Sequence, residues 1–449
     1  MTSPEPRPGV LGVVACAAAV LAGASWLRSA AEPFDPKAAA PSAAATGRWI
    51  RDDYEFSVYL RRGAWAPTGL RPYLDVLSEY PQLATWSFGI PYAFPAVASL
   101  VPMGEPRDVV ARIERTEPWA PLSLGYGDVA SALFGAAWLA TIALAALLAR
   151  DLGLSPWRAA LALGPASVYF ALQRFDPLPA LALAGALLAL TRDRAVLGFG
   201  LLAVGTMVKW YPAVVAPVAF AVVARRQGWR RATLAACAFA GVVVVCAAPT
   251  FLAGLGDPTW SGKPLSAFAS GIAALRAPYE FQGARYPNPG SLAERWLHSG
   301  LGVELDAIRP WLRGLQVLQV LAALGLAIVG WRSPRPATLV AASAAAVTAF
   351  VLLNPIFSPQ FVCWTAPLVA VAGRGRLGAA ALVAGIGIDA LTLVQFPILY
   401  FQATPSGDGI VLPSAFYSIV HVRIGVTIAC LAILAAIVVR ARSEPAAGA

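Results

Sequence analysis

The sequence of 449 residues has few charged side chains, and this shortage excludes an ordinary water-soluble protein. Asp, Glu, Lys and Arg make up 13% of the chain, whereas hydrophobic residues make up 58% and the mean hydropathy is +0.65. Soluble domains contain roughly 25% charged and about 45–50% apolar residues. So few charges cannot cover a water-facing surface, and the apolar excess must face lipid. The composition therefore predicts a polytopic membrane protein.

Histidine and cysteine are also scarce. The only histidines are His298 and His421, and the five cysteines lie in apolar stretches without C-x-x-C spacing. Nothing in this set resembles the Cys and His clusters that bind zinc, and the cysteines are typical of small core residues. We therefore predict no metal site and no cofactor, although the sequence leaves a divalent metal requirement open.

Lysine is nearly absent, since only Lys37, Lys209 and Lys263 accompany the arginines. The formal net charge of +10 comes from arginines that occur singly or in pairs between apolar runs, not from a basic stripe. This distribution follows the positive-inside rule of membrane proteins and indicates no nucleic-acid partner. The chain also lacks a P-loop and the G-x-G-x-x-G, G-x-S-x-G and H-E-x-x-H motifs, which argues against nucleotide-driven or metalloprotease chemistry.

Twelve apolar segments are present, and a spanning helix needs about 20 mostly apolar residues. The segments are 9–28, 127–149, 158–172, 176–191, 196–209, 212–224, 232–253, 311–331, 337–353, 361–373, 377–396 and 416–439. Placing the arginine-bearing links in the cytoplasm gives twelve spans with both termini inside. We predict an all-α bundle of about twelve transmembrane helices as a single domain, 1–440, with a cytoplasmic tail, 441–449.

On this topology the polar and aromatic residues collect on the extracytoplasmic side. The two large external loops are 29–126, which contains the low-complexity linker 37–46, and 254–310. Segment 81–102 is apolar but interrupted by two prolines, and we predict that it is re-entrant or interfacial. Any chemistry is therefore expected on the extracytoplasmic face of a multi-pass protein of the cell membrane.

The densest polar cluster follows the first span. Asp52, Asp53 and Glu55 provide three carboxylates within four residues, and such a group can hold a general base against an acceptor hydroxyl. They could instead bind a cation or cap a helix N-terminus. Further along the same loop, Asp75 and Glu79 lie close to the start of the apolar segment 81–102.

Three other polar sites interrupt the apolar segments. Arg174 and Asp176 lie between two apolar helices with almost no loop, where ionisable groups normally pair with each other or line a cavity. Lys209 precedes Trp-Tyr-Pro at a helix break; it suits a phosphate, and the alternative is snorkelling to the interface. The link 354–361 carries Ser358 and Gln360, which could bind a sugar or phosphate or satisfy backbone groups freed by two prolines.

Taken in order, these blocks resemble the GT-C superfamily of membrane glycosyltransferases, and within it glycosyltransferase family 87, over roughly residues 10–435. The family includes polyprenol-phosphate-mannose-dependent mannosyltransferases. The blocks that carry the resemblance are Glu55-Phe-Ser-Val58-Tyr59, Arg71-Pro72-Tyr73, Glu79-Tyr80-Pro81, Gln173-Arg174-Phe175-Asp176, Lys209-Trp210-Tyr211-Pro212 and Ser358-Pro359-Gln360-Phe361.

The resemblance implies an inverting glycosyltransferase that moves a hexose, with mannose favoured, from a polyprenyl-phosphate sugar to a lipid-linked or cell-envelope glycan. Because the family's base is an Asp in the first loop, Asp53 ranks first; Glu55 follows for its spacing before Val-Tyr, and Asp52 is third. The remaining residues are expected to bind substrate: Tyr59, Asp75, Glu79, Tyr80, Arg174, Asp176, Lys209, Ser358 and Gln360. The alternative is a transporter or flippase of a lipid-linked or anionic substrate, although we find no duplicated halves.

Overall fold

The structure is a computed structural model that describes residues 8–31, 51–259, 262, 264–299, 301, 302, 304, 307–406 and 409–443. The predicted linker 37–46 and most of the predicted tail, 444–449, lie outside the described residues. Within them the regular secondary structure is helical apart from one isolated β-bridge, Pro72 with Val76, and one antiparallel hairpin, which pairs β1 (Thr404–Ser406) with β2 (Gly409–Val411). The all-α prediction is confirmed with that small exception.

The α-helices of the first part are α1 (Pro8–Ala30), α2 (Tyr54–Arg62), α3 (Trp65–Thr68), α4 (Gln82–Ser87), α5 (Pro95–Ala98), α6 (Pro106–Glu114), α7 (Pro121–Asp151), α8 (Pro165–Gln173), α9 (Pro177–Thr191) and α10 (Ala195–Val208). The later ones are α11 (Ala216–Gln227), α12 (Trp229–Leu255), α13 (Ala267–Ala284), α14 (Arg309–Arg332), α15 (Pro336–Leu353), α16 (Val362–Val371), α17 (Gly375–Leu393) and α18 (Ser414–Ser443). Short 3₁₀ or π segments lie at Ile90–Ala93, Pro156–Leu163, Tyr211–Val215, Ala293–His298, Pro359–Phe361, Val394–Leu399 and Tyr400–Gln402.

Every predicted apolar segment falls on a helix, but not every such helix is long enough to cross a bilayer. Among the described residues, 7 helices have the length and composition of a span: Gly9–Ala30, Pro121–Asp151, Trp229–Leu255, Arg309–Arg332, Pro336–Leu353, Gly375–Gln402 and Ser414–Arg440. Counting the bent pair α8 and α9, whose axes differ by 112°, as one span gives 8. The chain is thus a polytopic membrane protein, while the predicted count of about twelve spans is not confirmed, because helices such as α10 and α16 are shorter than a full span.

Proline explains why α8 is so short. Pro165 begins α8 and Pro177 begins α9, and proline cannot donate the backbone hydrogen bond that a continuous helix needs at those positions. The N-terminus of α8 is buried, and Asp389 of α17 accepts hydrogen bonds from the backbone N–H of Ala166 at 3.1 Å and of Ser167 at 2.9 Å. Asp389, to which the sequence assigns no role, therefore caps a broken helix inside the bundle.

The predicted re-entrant or interfacial segment 81–102 contains α4, the 3₁₀ turn Ile90–Ala93 and α5, each too short to cross a bilayer. Its side chains Phe88 and Tyr92 join a core with Phe56 and Tyr126, which packs the first loop against the N-terminal part of α7. Its relation to the membrane remains a prediction.

The arginine-bearing links meet at one end of the bundle. Arg192 pairs with Asp151 at 2.7 Å, and Arg374 donates to the carbonyl of Leu152 in the same turn after α7. Arg158 donates to the carbonyl of Ala370 at 2.8 Å. The links that follow α7, α9 and α16 therefore share one side, and the acidic first loop lies at the other end of α7.

Candidate active site

The candidate site lies at the end of the bundle opposite the arginine links. It is built where the chain leaves α1, enters α2, turns between α8 and α9, and turns again between α10 and α11. Prolines break the backbone at the last two turns, and each break brings an ionisable side chain into the bundle. Two groups of ion pairs result, one around residues 51–55 and one around Lys209.

Asp53 is the centre of a buried ion cluster. Its Oδ1 accepts from Arg28 Nη2 at 2.9 Å and its Oδ2 accepts from Arg51 Nε at 2.6 Å. Asp128 of α7 accepts from both arginines, at 2.6 Å and 3.3 Å. Burial raises the pKa of Asp53, and the two arginines oppose that rise. Asp53 thus links the first loop to α1.

Asp52 connects the first loop to the link between α8 and α9. Its Oδ2 accepts from Arg174 Nη2 at 2.7 Å, and its backbone N–H donates to Gln173 Oε1 at 3.0 Å. Its Oδ1 also accepts from the backbone N–H of Tyr54 at 3.3 Å, whereas Asp53, the N-cap residue of α2, makes no side-chain capping hydrogen bond. The structure therefore pairs Arg174 with Asp52 rather than with Asp176.

Glu55 is the most open of the three carboxylates. Its side chain is 26% exposed, whereas the side chains of Asp52 and Asp53 are 8% and 3% exposed. Its nearest ion-pair contact is Arg174 Nη2 at 4.0 Å, longer than the contacts of the two aspartates. Glu55 therefore has an accessible carboxylate beside a buried guanidinium.

The second group pairs Lys209 with Asp176. Asp176 is fully buried, and its Oδ1 accepts from Lys209 Nζ at 2.8 Å and from Trp364 Nε1 at 2.6 Å. The ammonium lies over the rings of Phe175 at 4.5 Å, Trp364 at 5.0 Å and Phe361 at 5.7 Å. Aromatic faces attract a cation, so this cage fixes the position of Lys209.

An aromatic wall separates the two groups. Tyr59 stacks on Phe88 with ring centroids 4.7 Å apart, and Phe175 meets Tyr59 edge-on at 5.5 Å. Tyr80 contacts both Phe88 and Phe175 at 5.2 Å. Tyr59 is fully buried here, so its visible role is to support the site, while its predicted role in substrate binding stays a prediction.

Asp75 and Glu79 are engaged elsewhere in the loop. Arg71 Nε donates to Asp75 at 2.8 Å and Arg71 Nη2 to Asp257 at 2.9 Å, which ties the first loop to the segment after α12. The Arg71 guanidinium holds the pKa of Asp75 below its ordinary value. Glu79 accepts from Arg62 Nε at 2.5 Å. The structure thus gives both carboxylates partners that stabilise the loop.

The link 354–361 reaches the Lys209 cage through Phe361. The Phe361 ring stacks on Trp364 with centroids 3.7 Å apart, and Ser358 and Gln360 precede it as half-buried residues. The carbonyl of Ser358 accepts from the backbone N–H of Phe361 at 3.2 Å. The predicted polar residues Ser358 and Gln360 therefore lie next to the residues that surround Lys209. Among the described residues, their side chains make no hydrogen bond to the Lys209 ammonium.

An apolar groove of about 600 Å³ runs along α9 and α10. At one end it is lined by Leu178, two residues after Asp176, and by Val208, the residue before Lys209. At the other end it is lined by Arg192 and Arg194. The groove therefore runs from sequence neighbours of Asp176 and Lys209 towards the opposite end of the bundle, and neither residue of that pair lines it.

Comparison with protein-family models matches residues 118–359 to glycosyltransferase family 87. The chain belongs to glycosyltransferase family 87. It is accordingly a membrane glycosyltransferase, with a sugar donor and an acceptor as substrates. No curated protein matches the chain.

The family match of this glycosyltransferase includes Asp128, Arg174, Asp176 and Lys209, and it ends within the link 354–361. The acidic cluster of residues 52–55 precedes it. The ion pairs Arg174–Asp52 and Arg28–Asp128 join the matched region to the part of the chain before it.

The sequence interpretation misses several residues of the site, among them Arg28, Arg51, Asp128 and Trp364. Arg28 and Asp128 fall at the ends of predicted spans and Trp364 falls inside one, and the sequence interpretation assigns no role to any of them. Asp128 carried the clearest signal, because a carboxylate at the start of a predicted span normally has a partner. Trp364 carried no signal, since its partner Asp176 is far away in the sequence.

Proposed function

We propose that this family 87 glycosyltransferase uses a polyprenyl-phosphate hexose as its donor. The observation that carries the proposal is the apolar groove whose lining begins at Leu178 and Val208, which follow Asp176 and precede Lys209 in the sequence. A polyprenyl-phosphate sugar has the same two parts, a long apolar chain and an anionic phosphate. The groove suits the chain, and the caged ammonium suits the phosphate as a point charge.

The two cations act on the leaving group. In the transfer step the bond between C1 of the sugar and the phosphate oxygen breaks, and polyprenyl phosphate departs with an additional negative charge. Lys209, with 18% of its side chain exposed, and the guanidinium of Arg174 stabilise this charge. Asp52 and Asp176 hold the cations in place before the donor binds.

Glu55 is the general base of the proposed reaction. The acceptor hydroxyl oxygen attacks C1 from the face opposite the phosphate, its proton passes to Glu55, and the anomeric configuration inverts. Glu55 is preferred because it is the most exposed of the three carboxylates and the least engaged by arginine. The sequence ranking places Asp53 first, so the two criteria lead to different residues that single variants can separate.

The sugar and acceptor in this proposal come from the family resemblance. Mannose is the proposed hexose, and the proposed acceptor is a lipid-linked or cell-envelope glycan on the extracytoplasmic side of the cell membrane. The groove runs along α9 and α10 from the end of the bundle that holds the caged lysine, and an apolar groove of this kind suits a donor that arrives laterally from the bilayer.

The test is incubation of the purified protein in lipid nanodiscs with labelled polyprenyl-phosphate mannose and candidate membrane glycolipids. Transfer of label to a glycolipid, with release of polyprenyl phosphate, is the expected result. Transfer only from a nucleotide sugar would contradict the donor assignment. Movement of the donor across the membrane without transfer would support the flippase alternative.

A further inference from the structure

A further buried cation, Arg423, is not part of the ion pairs of the site. Arg423 is in α18 and only 1% exposed. Its Nη2 donates to the carbonyls of Phe357 at 3.2 Å and Gly290 at 3.5 Å, and its guanidinium stacks over the Phe357 ring at 4.0 Å. Arg423 therefore holds the link 354–361 from the side opposite the Lys209 cage.

Arg423 differs from the other buried cations in its missing countercharge. Arg28, Arg174 and Lys209 each pair with a carboxylate within 2.9 Å. For Arg423 no carboxylate partner exists in the described part of the chain, where its partners are two carbonyls and a ring. Carbonyl dipoles offset only part of a full charge, and an unpaired buried ion costs several kcal/mol.

A small cavity adjoins this cation. Arg423 and Thr348 both line it, and within the described residues Arg423 Nε and Thr348 Oγ1 have no hydrogen-bond partner. Three further threonines complete its polar lining: Thr365, Thr392 and Thr427. Each of these three donates its hydroxyl hydrogen to a carbonyl of its own helical turn. Arg423 Nε–H and Thr348 O–H are therefore free donors at this cavity within the described residues.

The size of the cavity limits what it can hold. Its volume is about 10 Å³, which is near the minimum for a single small guest of water size. Phosphate, sulfate and carboxylates are too large. A guest of this size that accepts two hydrogen bonds is a water molecule or a monatomic anion, and only the anion also offsets the charge of Arg423.

We propose that Arg423 and Thr348 form a binding site for one halide ion, chloride under ordinary conditions. The ion accepts hydrogen bonds from Arg423 Nε and Thr348 Oγ1 and neutralises the buried guanidinium. Because Arg423 also holds the carbonyl of Phe357, an occupied site stabilises the link 354–361. The inference does not depend on the proposed donor or base.

Equilibrium dialysis of the purified full-length protein against radiolabelled chloride tests the site directly. We expect one chloride per chain, displaced by bromide but not by gluconate or phosphate. Thermal unfolding in matched chloride and gluconate buffers should show stabilisation by the halide, since a ligand that binds only the folded state stabilises it.

Two variants and one control decide the assignment. Arg423→Gln removes the charge, and Thr348→Val removes one donor with little change in shape; we expect at least tenfold weaker chloride binding in the first and several-fold weaker binding in the second. Arg158→Gln is the control, because Arg158 also donates to backbone carbonyls, at the opposite end, and it should bind chloride normally. If Arg423→Gln does not fold, Thr348→Val alone decides. Absence of bound chloride in the unmodified protein, or unchanged binding in Thr348→Val, would overturn the proposal and leave a water in the cavity.

Discussion

Lys209 Nζ lies 2.8 Å from Asp176 Oδ1, and the two partners differ in exposure. The Asp176 side chain is completely buried, whereas 18% of the Lys209 side chain reaches the surface. Trp364 Nε1 also donates to the same carboxylate oxygen, so Asp176 keeps a partner when Lys209 turns to an anion. The pair therefore combines a fixed carboxylate with a cation that remains accessible.

This asymmetry predicts different effects for a single and a double variant. Lys209→Met leaves Asp176 as an uncompensated buried charge, and we expect a loss of stability of about 3–5 kcal/mol, typical of breaking a buried pair. Adding Asp176→Asn removes that charge and should restore most of the stability. In both variants we expect kcat/KM for the donor to be roughly 10–100-fold lower than in the unmodified protein, because a charged hydrogen bond contributes about 1.5–3 kcal/mol.

Thermal unfolding and steady-state kinetics of the two variants check this prediction. Arg226→Met is a suitable control, since Arg226 pairs with Asp193 at 2.9 Å far from the site and should keep normal donor use. If the double variant recovers donor use together with stability, Lys209 has a purely structural role.

The general base gives a second prediction. Glu55→Gln keeps the shape of the side chain but removes its basicity, and we expect turnover to fall by roughly 10²–10⁴-fold with near-normal donor binding. Asp53→Asn and Asp52→Asn should keep turnover within about tenfold of the unmodified protein, because the buried carboxylates of these two residues hold arginines. Single-turnover rates with saturating donor separate the three.

Asp53→Ala serves as the structural counterpart. It removes the carboxylate partner of two buried residues, Arg28 and Arg51. We expect it to lower the free energy of unfolding or the expression yield more than it lowers the turnover rate of the protein that does fold. A fully active Glu55→Gln together with an inactive Asp53→Asn would instead support the sequence ranking, in which Asp53 is the base.

The sequence predicts the helices better than the pairing of charges. All twelve apolar segments fall on helices, because a run of apolar residues is a local property of the chain. The pairs Arg174–Asp52 and Lys209–Asp176 join residues 122 and 33 positions apart, and no spacing rule predicts them. The local alternative, Arg174 with Asp176, is not the pairing that forms, because each residue has a partner from another part of the chain.

The number of spans was harder to predict for a related reason. Residues 195–208 and 362–371 are apolar throughout, yet their helices are shorter than a bilayer is thick. A 3₁₀ turn lies close to the C-terminal end of α10, at Tyr211–Val215, and another precedes α16, at Pro359–Phe361. Hydropathy measures the apolar run and cannot register that change of backbone conformation.

The groove along α9 and α10 gives a third prediction. Gly185 lines it, and a side chain added there would project towards Leu201 and Leu144 at 3.3 Å and 3.6 Å. Gly185→Leu should therefore narrow the groove and raise KM for a long-chain polyprenyl donor by roughly tenfold or more. A donor with a chain of two isoprene units should be used as well as by the unmodified protein.

Gly200→Leu is the matched control for this substitution. Gly200 lies on the neighbouring helix α10, and nothing approaches its Cβ position within 4 Å, so the larger side chain fits without entering the groove. Kinetics with donors of increasing chain length test the pair of variants. An equal rise in KM for short and long donors in Gly185→Leu would show that the groove does not hold the chain.

The last prediction concerns the side of the membrane on which the site lies. Arg192 and Arg374 both contact the turn after α7, at Asp151 and Leu152, so the links that contain them share one side. The positive-inside rule assigns that side to the cytoplasm.

Reporter fusions after Arg194 and Arg376 should therefore both read as cytoplasmic. A fusion within 285–300 should read as external, because Asn288 donates from its backbone to the carbonyl of Pro355 at the site end of the bundle. Opposite readings after Arg194 and Arg376 would contradict the shared side, and a cytoplasmic reading within 285–300 would place the site on the cytoplasmic face, where an extracytoplasmic glycan acceptor could not reach it.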